Sequence, residues 1–359
     1  MKRLVFTGGH HTSALVVAKE LILQGKYKVV WFGHRYSMWG DKSDSAEYKE
    51  VIAAGIKFYD LKAGKFYNTF NPLKLIRIPW GFIQAFYFLL KIHPAGIVSF
   101  GGYLAVPTVI TGWLLGIPSV THEQTMVAGW ANRLIANFSR KIAITWPESA
   151  KFYPKSKTIL TGLPLRLEII QLKNQIDRIP NTCLPAGKAE HRVIYITGGK
   201  QGSHLINQIV FSILPELVKK YTVIHQTGSS SIHNDYQHAL DLVQKNYEVF
   251  DFDSQKAIKA LKLADIVIGR AGAHTIYELA VLGKKCILIP IPWVSHNEQL
   301  INAQMLENSG LATVIPEDKL NGERILMALQ DIQKRKIQAL NLPLDATKKL
   351  VDLINSNFN

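Results

Sequence analysis

The sequence predicts an α/β protein built as two Rossmann-like halves, and three observations carry that expectation. Short runs rich in β-branched and aromatic residues alternate with helix-patterned stretches almost from end to end, the pattern that encodes parallel sheets covered by helices. That rhythm breaks once, across a Pro- and Gly-containing segment of low periodicity at residues 162–192. The chain has 359 residues, more than one hydrophobic core usually organises, so two domains of ordinary size are expected.

The first half opens with "RLVFT" (3–7), a strand by its apolar run, followed by "SALVVAKELILQG" (13–25), which reads as a helix. The strands "KVVWFG" (28–33) and "GIVSFGG" (96–102) follow, then a helical stretch reaching Leu115, then the strands "PSVTHE" (118–123) and "KIAIT" (141–145). After the break a second series begins: "RVIYITGG" (192–199), "YTVIHQTG" (221–228), "YEVFDF" (247–252), "DIVIGRAG" (265–272), "KCILIPIP" (285–292) and "LATVI" (311–315). Helix-like sequence separates each from the next. The expected domains are therefore 1–160 and 161–342, with no short-period repeat or low-complexity tract competing.

Hydrophobic residues make up 47% of the chain, ample for two cores, and charged residues only 19%, yet the formal net charge is +15. Such a basic excess points to an anionic partner: nucleic acid, a membrane surface or a phosphorylated substrate. The two cysteines, Cys183 and Cys286, lie far apart without metal-like spacing, which fits a reducing compartment and argues against a disulfide scaffold. "MKRLVFTGGHH" carries too short an apolar run for a secretory signal and reads as a first strand.

In doubly wound sheets ligands bind beyond the carboxyl ends of the strands, so the loops that follow strands matter most. Small and polar residues collect there: "TGGHHTS" (7–13), "FGGY" (100–103), "HEQ" (122–124), "TGGKQGS" (197–203), "HQTGS" (225–229) and "GRAGAHT" (269–275). At the last of these, Gly272 would let a ligand approach the backbone, and the free N–H groups of Ala273, His274 and Thr275 would meet an anion. Glu278, placed near the first turn, could accept hydrogen bonds from two ribose hydroxyls, so a nucleotide diphosphate fits the segment. A helix-entry glycine followed by a surface acid that complements the helix dipole fits it equally.

A nicotinamide cofactor is disfavoured: no G-x-G-x-x-G follows any strand, and the second strand ends at His34 and Arg35 where an acid is needed. Zinc is disfavoured too, because His10, His11 and His122 share no metal-motif spacing.

Between Asp60 and Glu123 there is no Asp or Glu, while Lys62, Lys65, Lys74, Arg77 and Lys91 are present. Within that window "FNPLKLIRIPWGFIQAFYFLLK" (70–91) is too short in its apolar run to span a bilayer and is broken by Pro72 and Pro79. Lys74, Leu75, Arg77, Ile78, Trp80, Phe82, Phe86 and Phe88 suit a helix lying in a membrane interface, with rings inserted and bases against anionic lipid. A core helix with a solvated basic edge is the alternative.

Taken together the loops resemble those of the MurG family, inverting glycosyltransferases of the GT-B fold that move GlcNAc from UDP-GlcNAc to lipid I. "TGGH" (7–10) is similar to the end of that family's first glycine loop, "SFGGYLAVP" (99–107) to its second, and "HEQTMVAGWANR" (122–133) to its acceptor-side segment. "GLPLR" (162–166), "GGKQGS" (198–203), "HQTG" (225–228), "GRAGAHTIYEL" (269–279) and "HNEQLINA" (296–303) resemble the hinge and donor-side motifs in order.

The resemblance implies two Rossmann-like domains whose parallel sheets face a central cleft, with the final helix, 343–359, packed on the first. It implies donor contacts from Arg166, Gly198, Gly199, Gln201, Ser203, Gly272, Ala273, His274, Thr275, Glu278 and Gln299. Glu278 would hold the ribose, Gln299 the sugar hydroxyls and Arg166 the phosphates. Acceptor contacts would come from Gly8, Gly9, Gly101, Gly102, Tyr103, His122, Gln124 and Asn132. His10, ahead of Glu123, would take the proton of the attacking hydroxyl. UDP-GlcNAc, lipid I and the anionic inner leaflet are the implied partners, without nucleic acid or a tightly bound cofactor or metal. The implied place is the cytoplasmic face of the plasma membrane, as a peripheral protein.

Val5 and Phe6 stand where the family's first glycines fall, Lys200 replaces a small polar residue and Thr125 an Asn. Val5, Phe6 and Thr125 are on the acceptor side. These departures make a related transferase with another lipid acceptor and a catalytically silent nucleotide-sugar binder rival expectations; a UDP-GlcNAc 2-epimerase, which shares the fold but needs no membrane face, is another.

Overall fold

The computed structural model describes residues 1–36, 44–64, 76–178, 192–293, 297–338 and 340–358. The chain divides into two compact units, Met1–Arg166 with Pro343–Asn359, and Leu167–Leu342. The division falls after Arg166 rather than at 160. The segment beyond 160 stays with the first unit because Thr161 and Gly162 N–H both donate to Ile144 O, and Leu163 and Leu165 are buried.

In the first unit the strands are β1 (Lys2–Thr7), β2 (Tyr27–Gly33), β3 (Lys57–Asp60), β4 (Gly96–Ser99), β5 (Ser119–Glu123), β6 (Lys141–Ile144) and β7 (Thr158–Leu160). They form one parallel sheet in the order β3-β2-β1-β4-β5-β6-β7. Side chains alternate across a strand, and both faces here are covered. Leu4 and Phe6 pack on one side with α1 (His11–Leu23), α2 (Ala46–Ala53) and the last helix, while Val5 packs on the other with α3 (Arg77–Ile92), α4 (Ala105–Leu114) and α5 (Trp130–Phe138). The last helix, Ala346–Phe358, belongs to the first unit. Phe358 fills the space that a Cβ on Gly96 would take, and its carbonyl accepts from Lys2 Nζ at 3.1 Å.

The second unit holds β8 (Arg192–Thr197), β9 (Tyr221–Gln226), β10 (Tyr247–Phe250), β11 (Ile266–Gly269), β12 (Lys285–Leu288) and β13 (Ala312–Val314), again all parallel, in the order β10-β9-β8-β11-β12-β13. Its helices are α6 (Leu167–Arg178), α7 (His204–Leu217), α8 (Asp235–Asp241), α9 (Ser254–Leu263), α10 (Ala273–Leu282), α11 (Glu298–Asn308) and α12 (Gly322–Lys334). The main core layers Ile194, Ile196, Ile266 and Ile268 against Val210 and Leu214 of α7 and Ile325 and Leu329 of α12.

Two strands are absent from the sequence expectation, β3 ("KFYD") and β7 ("TIL"). Both are sheet edges. Edge strands are short and half-solvated, so they carry no continuous apolar run to announce them.

Candidate active site

Each sheet reverses its strand order at one place, and both reversals fall at the glycine loops. In the first unit β1 lies between β2 and β4, so the loops after β1 and β4 meet at the switch point. Gly9 N–H donates to Gly101 O at 3.0 Å. Gly8 has φ 134°, and a Cβ there would come within 2.7 Å of the Phe100 backbone. The two loops therefore lie backbone on backbone, which requires glycine.

Asn132, the third residue of α5, ties this loop pair to the next strand. Its Oδ1 accepts from Gly102 N–H at 3.0 Å and its Nδ2 donates to Glu123 Oε2 at 2.7 Å. Tyr153 O–H donates to the same oxygen at 2.6 Å, and Thr125 N–H reaches Oε1 at 3.0 Å with its hydroxyl 2.9 Å away. Burial, with the Glu123 charge beside it, holds the Tyr153 phenol far above its ordinary range. Thr125 is thus part of this network, its hydroxyl also lying 2.6 Å from Val127 O.

Glu123, the second candidate for the base, is a buried carboxylate engaged by donors at both oxygens, an arrangement that braces the loops. His122 is buried as well: Nε2 lies 3.0 Å from Gly162 O, which can only accept, so that nitrogen is the donor. It holds the segment after β7. Gln124 is buried, and neither Oε1 nor Nε2 has a hydrogen-bond partner among the described residues. Tyr103 and His10 are half-buried, with His10 at the cap position of α1 making no side-chain cap bond. One strand over, Trp31 Nε1 donates to Glu47 Oε1 at 2.7 Å. Glu47 as a residue is half-buried, but its carboxyl end is closed in against Gly33, and burial pushes it up to about 7 against the opposing Trp31 and His34 hydrogen bonds.

On the outer side of the first unit, α3 turns Gly81, Ala85, Leu89 and Ile92 inward. The opposite stripe, Ile76, Trp80, Ile83, Phe86, Tyr87 and Leu90, is exposed, and so are Trp113 and Leu114 of α4 and Trp130 and Leu134 of α5. Ile78 and Phe82 are half-buried. Phe88 is corrected to an inward residue, its ring 5.6 Å from Phe32 and 5.1 Å from Tyr59. Lys65, Lys74 and Leu75 lie outside the described residues, as do Cys183 and His296. Among the described residues no helix is long and apolar enough to cross a membrane.

In the second unit the reversal lies between β8 and β11. The loop after β8 runs through Gly198, Gly199, Lys200, Gln201, Gly202 and Ser203 into α7; the loop after β11 runs through Arg270, Ala271 and Gly272 into α10. Both helices begin without a side-chain cap, so their first N–H groups are open to an anion. Gly202, at φ 86°, and Gly228, at φ 95°, touch backbone to backbone, which seats the glycine loop on "HQTG".

Beneath that loop lies a fully specified polar network. Tyr195 O–H donates to Gln226 Oε1 and Gln226 Nε2 to Gly199 O, each at 2.8 Å. Asn207 Nδ2 donates to Thr227 O and to Asp235, so its Oδ1 must accept from His225 Nε2 at 3.1 Å. His225 Nδ1 then accepts from Tyr247 O–H at 3.0 Å. Complete burial lowers His225 to about 3, which keeps the ring neutral in this role.

Arg270, which the sequence reading did not single out, joins the two loops. Its Nη2 donates to Ser203 Oγ at 2.8 Å and pairs with Glu317 at 2.6 Å, while Nη1 donates to Ile289 O at 3.1 Å. The nearest signal was a lone cation inside a small-residue loop; its partner is far along the chain and leaves no local pattern. Gly198, Gly202, Ser203, His204, Arg270 and Glu317 help line a concavity of about 720 Å³.

Glu278 is the sixth residue of α10, in its second turn, and it is buried. This corrects both its expected first-turn place and its reading as a surface acid. Its Oε1 lies 3.7 Å from His274 Nδ1. Ala273 is buried and Thr275 half-buried on the same turn. Gln299 Oε1 accepts from Ile291 N–H at 3.1 Å, which fixes the orientation of its amide at the start of α11. Gln201 is exposed, and Arg166 is the residue at which the main segment of the first unit ends. Among the described residues no three His, Cys, Asp or Glu side chains are grouped so as to hold a metal ion.

Comparison with known proteins matches this division of loops. Residues 7–144 match the glycosyltransferase family 28 N-terminal domain, and residues 193–355 match the family 28 C-terminal domain. The UDP-N-acetylglucosamine--N-acetylmuramyl-(pentapeptide) pyrophosphoryl-undecaprenol N-acetylglucosamine transferase of Clostridium perfringens (strain SM101 / Type A) is 34% identical over 94% of this chain and 92% of its own length. The crystal structure of Acinetobacter baumannii MurG superposes with a TM-score of 0.72 at 24% identity, covering 99% of this chain and 100% of that one. The UDP-GlcNAc 2-epimerase of Neisseria meningitidis, bound to UDP-GlcNAc, shares the fold at a TM-score of 0.62 and 15% identity, covering 99% and 100% of the two chains. The two-sheet architecture is therefore GT-B-like, and the chain is a MurG-like member of glycosyltransferase family 28.

Proposed function

We propose that this protein transfers GlcNAc from UDP-GlcNAc to undecaprenyl-pyrophosphoryl-MurNAc-pentapeptide, lipid I, forming lipid II for peptidoglycan synthesis. The observation that carries the reading is the full-length kinship with the Clostridium perfringens transferase, 34% identical across 94% of the chain. The local geometry agrees with it. Two uncapped helix starts, α7 and α10, border the β8/β11 switch point, where a diphosphate would find N–H donors. Glu278 would accept from the ribose hydroxyls, and the Gln299 amide would donate to the sugar.

In the transfer, the acceptor hydroxyl attacks the anomeric carbon, the bond from that carbon to the β-phosphate oxygen breaks, and UDP leaves with the electron pair. His10 takes the hydroxyl proton, and the helix amino ends offset the charge growing on UDP. The reading invokes UDP-GlcNAc as donor substrate and no tightly bound metal or cofactor. The glycine loops of the first unit would seat the acceptor's own diphosphate. The exposed stripe of α3 would rest on the anionic inner leaflet, placing the protein peripherally on the cytoplasmic face of the membrane.

Mass spectrometry of products from UDP-GlcNAc and lipid I tests the proposal. A disaccharide lipid and UDP are expected. ManNAc with UDP would identify an epimerase, transfer only to another lipid would move the acceptor, and nucleotide binding without turnover would leave a silent binder.

A further inference from the structure

A histidine cluster of the second unit also reaches the concavity. His204 is the first residue of α7, so its side chain tilts toward the helix amino end, and it lines the concavity with Gly198, Gly202 and Ser203. Its Nδ1 lies 2.7 Å from Asp235 Oδ1. His233 stacks on the ring, with centroids 3.8 Å apart and planes 14° from parallel. Asp235 is held in turn, because its other oxygen accepts from Asn207 Nδ2 at 2.8 Å and Asn207 is locked by His225 and Thr227.

This arrangement has a direction. The Asp235 side chain is 13% exposed and that of His204 35%, so the carboxylate backs the ring and the imidazole faces outward. A carboxylate only accepts, so Nδ1 carries a proton and Nε2 is the nitrogen left to meet a ligand. Arg270, the other basic side chain lining the concavity, is already paired with Glu317. Among the described lining residues, His204 is the basic side chain whose second ring nitrogen stays open while its partner carboxylate holds the first.

We propose that His204, aimed by Asp235, contacts the diphosphate of the nucleotide sugar, binding it as an imidazolium whose Nε2–H donates to a phosphate oxygen. The proposal rests on the reading of the β8/β11 loops as the donor site. Asp235 is then a positioning residue, and His233 keeps the ring from turning away. The contact gains strength as charge collects on the departing UDP, so it bears on turnover as well as binding.

Calorimetric titration of the full chain with uridine, UDP and UDP-GlcNAc tests it, comparing wild type with His204→Gln, His204→Arg and Asp235→Asn. Loss of one charge-assisted contact should weaken UDP and UDP-GlcNAc binding about tenfold in His204→Gln while uridine is unaffected. His204→Arg should restore most of that loss, and Asp235→Asn should show a smaller loss in the same ligands. Unchanged UDP affinity in His204→Gln, or an equal loss for uridine and UDP, overturns the proposal while wild-type UDP binding keeps the donor site standing. Wild type that fails to bind UDP overturns both.

Discussion

Asn132 stands between Gly102 and Glu123, accepting from the glycine's N–H at 3.0 Å and donating to the carboxylate at 2.7 Å. One amide thereby fixes the second glycine loop to the end of β5. Asn132→Ala leaves Gly102 N–H without its acceptor and removes one of the two donors to Glu123 Oε2, the other being Tyr153 O–H, at a cost of about 1–3 kcal/mol in all. The melting temperature should fall, and KM for the lipid acceptor should rise more than KM for UDP-GlcNAc. An equal rise in both would detach Asn132 from the acceptor loop.

His10 and Glu123 are separated by a pair of variants. Glu123→Gln puts an amide donor against donors, so stability should drop while the pH profile of turnover keeps its shape. His10→Gln should lower kcat by about 10² to 10⁴ and abolish the limb of the profile that belongs to the base. If Glu123→Gln removes that limb and His10→Gln does not, the roles are reversed.

Glu47 makes stability depend on pH. Burial raises the folded-state carboxyl to about 7, so the folded chain holds this proton more tightly than the unfolded one. Its contribution is full below the ordinary glutamate range and is lost as pH rises through about 7. Glu47→Gln keeps an oxygen for Trp31 and removes the titration. Melting curves of the wild type should therefore fall relative to Glu47→Gln across that window; parallel curves contradict the assignment.

The membrane face is tested on α3. Replacing Trp80, Ile83 and Leu90 together by Ser removes exposed rings and alkyl groups and touches none of the inward residues Gly81, Ala85, Leu89 and Ile92. Binding to vesicles containing anionic lipid should drop by an order of magnitude or more. Retained binding would place the membrane contact elsewhere.

How much of this was legible in the sequence depended on whether the signal was local. Central strands such as "RLVFT" and "DIVIGRAG" announced themselves because both faces are buried, and their glycine loops marked the carboxyl ends. The edge strands Lys57–Asp60 and Thr158–Leu160 did not, being short and half-solvated. Phe88 illustrates a second limit: an aromatic run on one helix does not reveal which ring turns inward until the packing against Phe32 is known. Glu123 and Arg270 illustrate a third. Their surroundings are set by Tyr153 and Glu317, side chains brought near only by the fold, so the bracing of the carboxylate and the clamp made by the cation leave no local pattern in the sequence.

The account depends most on the seat of the nucleotide at the amino end of α10, beside Glu278. Calorimetric titration of UDP into wild type and Glu278→Ala measures it most directly. Loss of the carboxylate that receives the ribose hydroxyls should weaken UDP binding by about 1–3 kcal/mol with folding intact. Equal affinity in the two proteins would contradict the account.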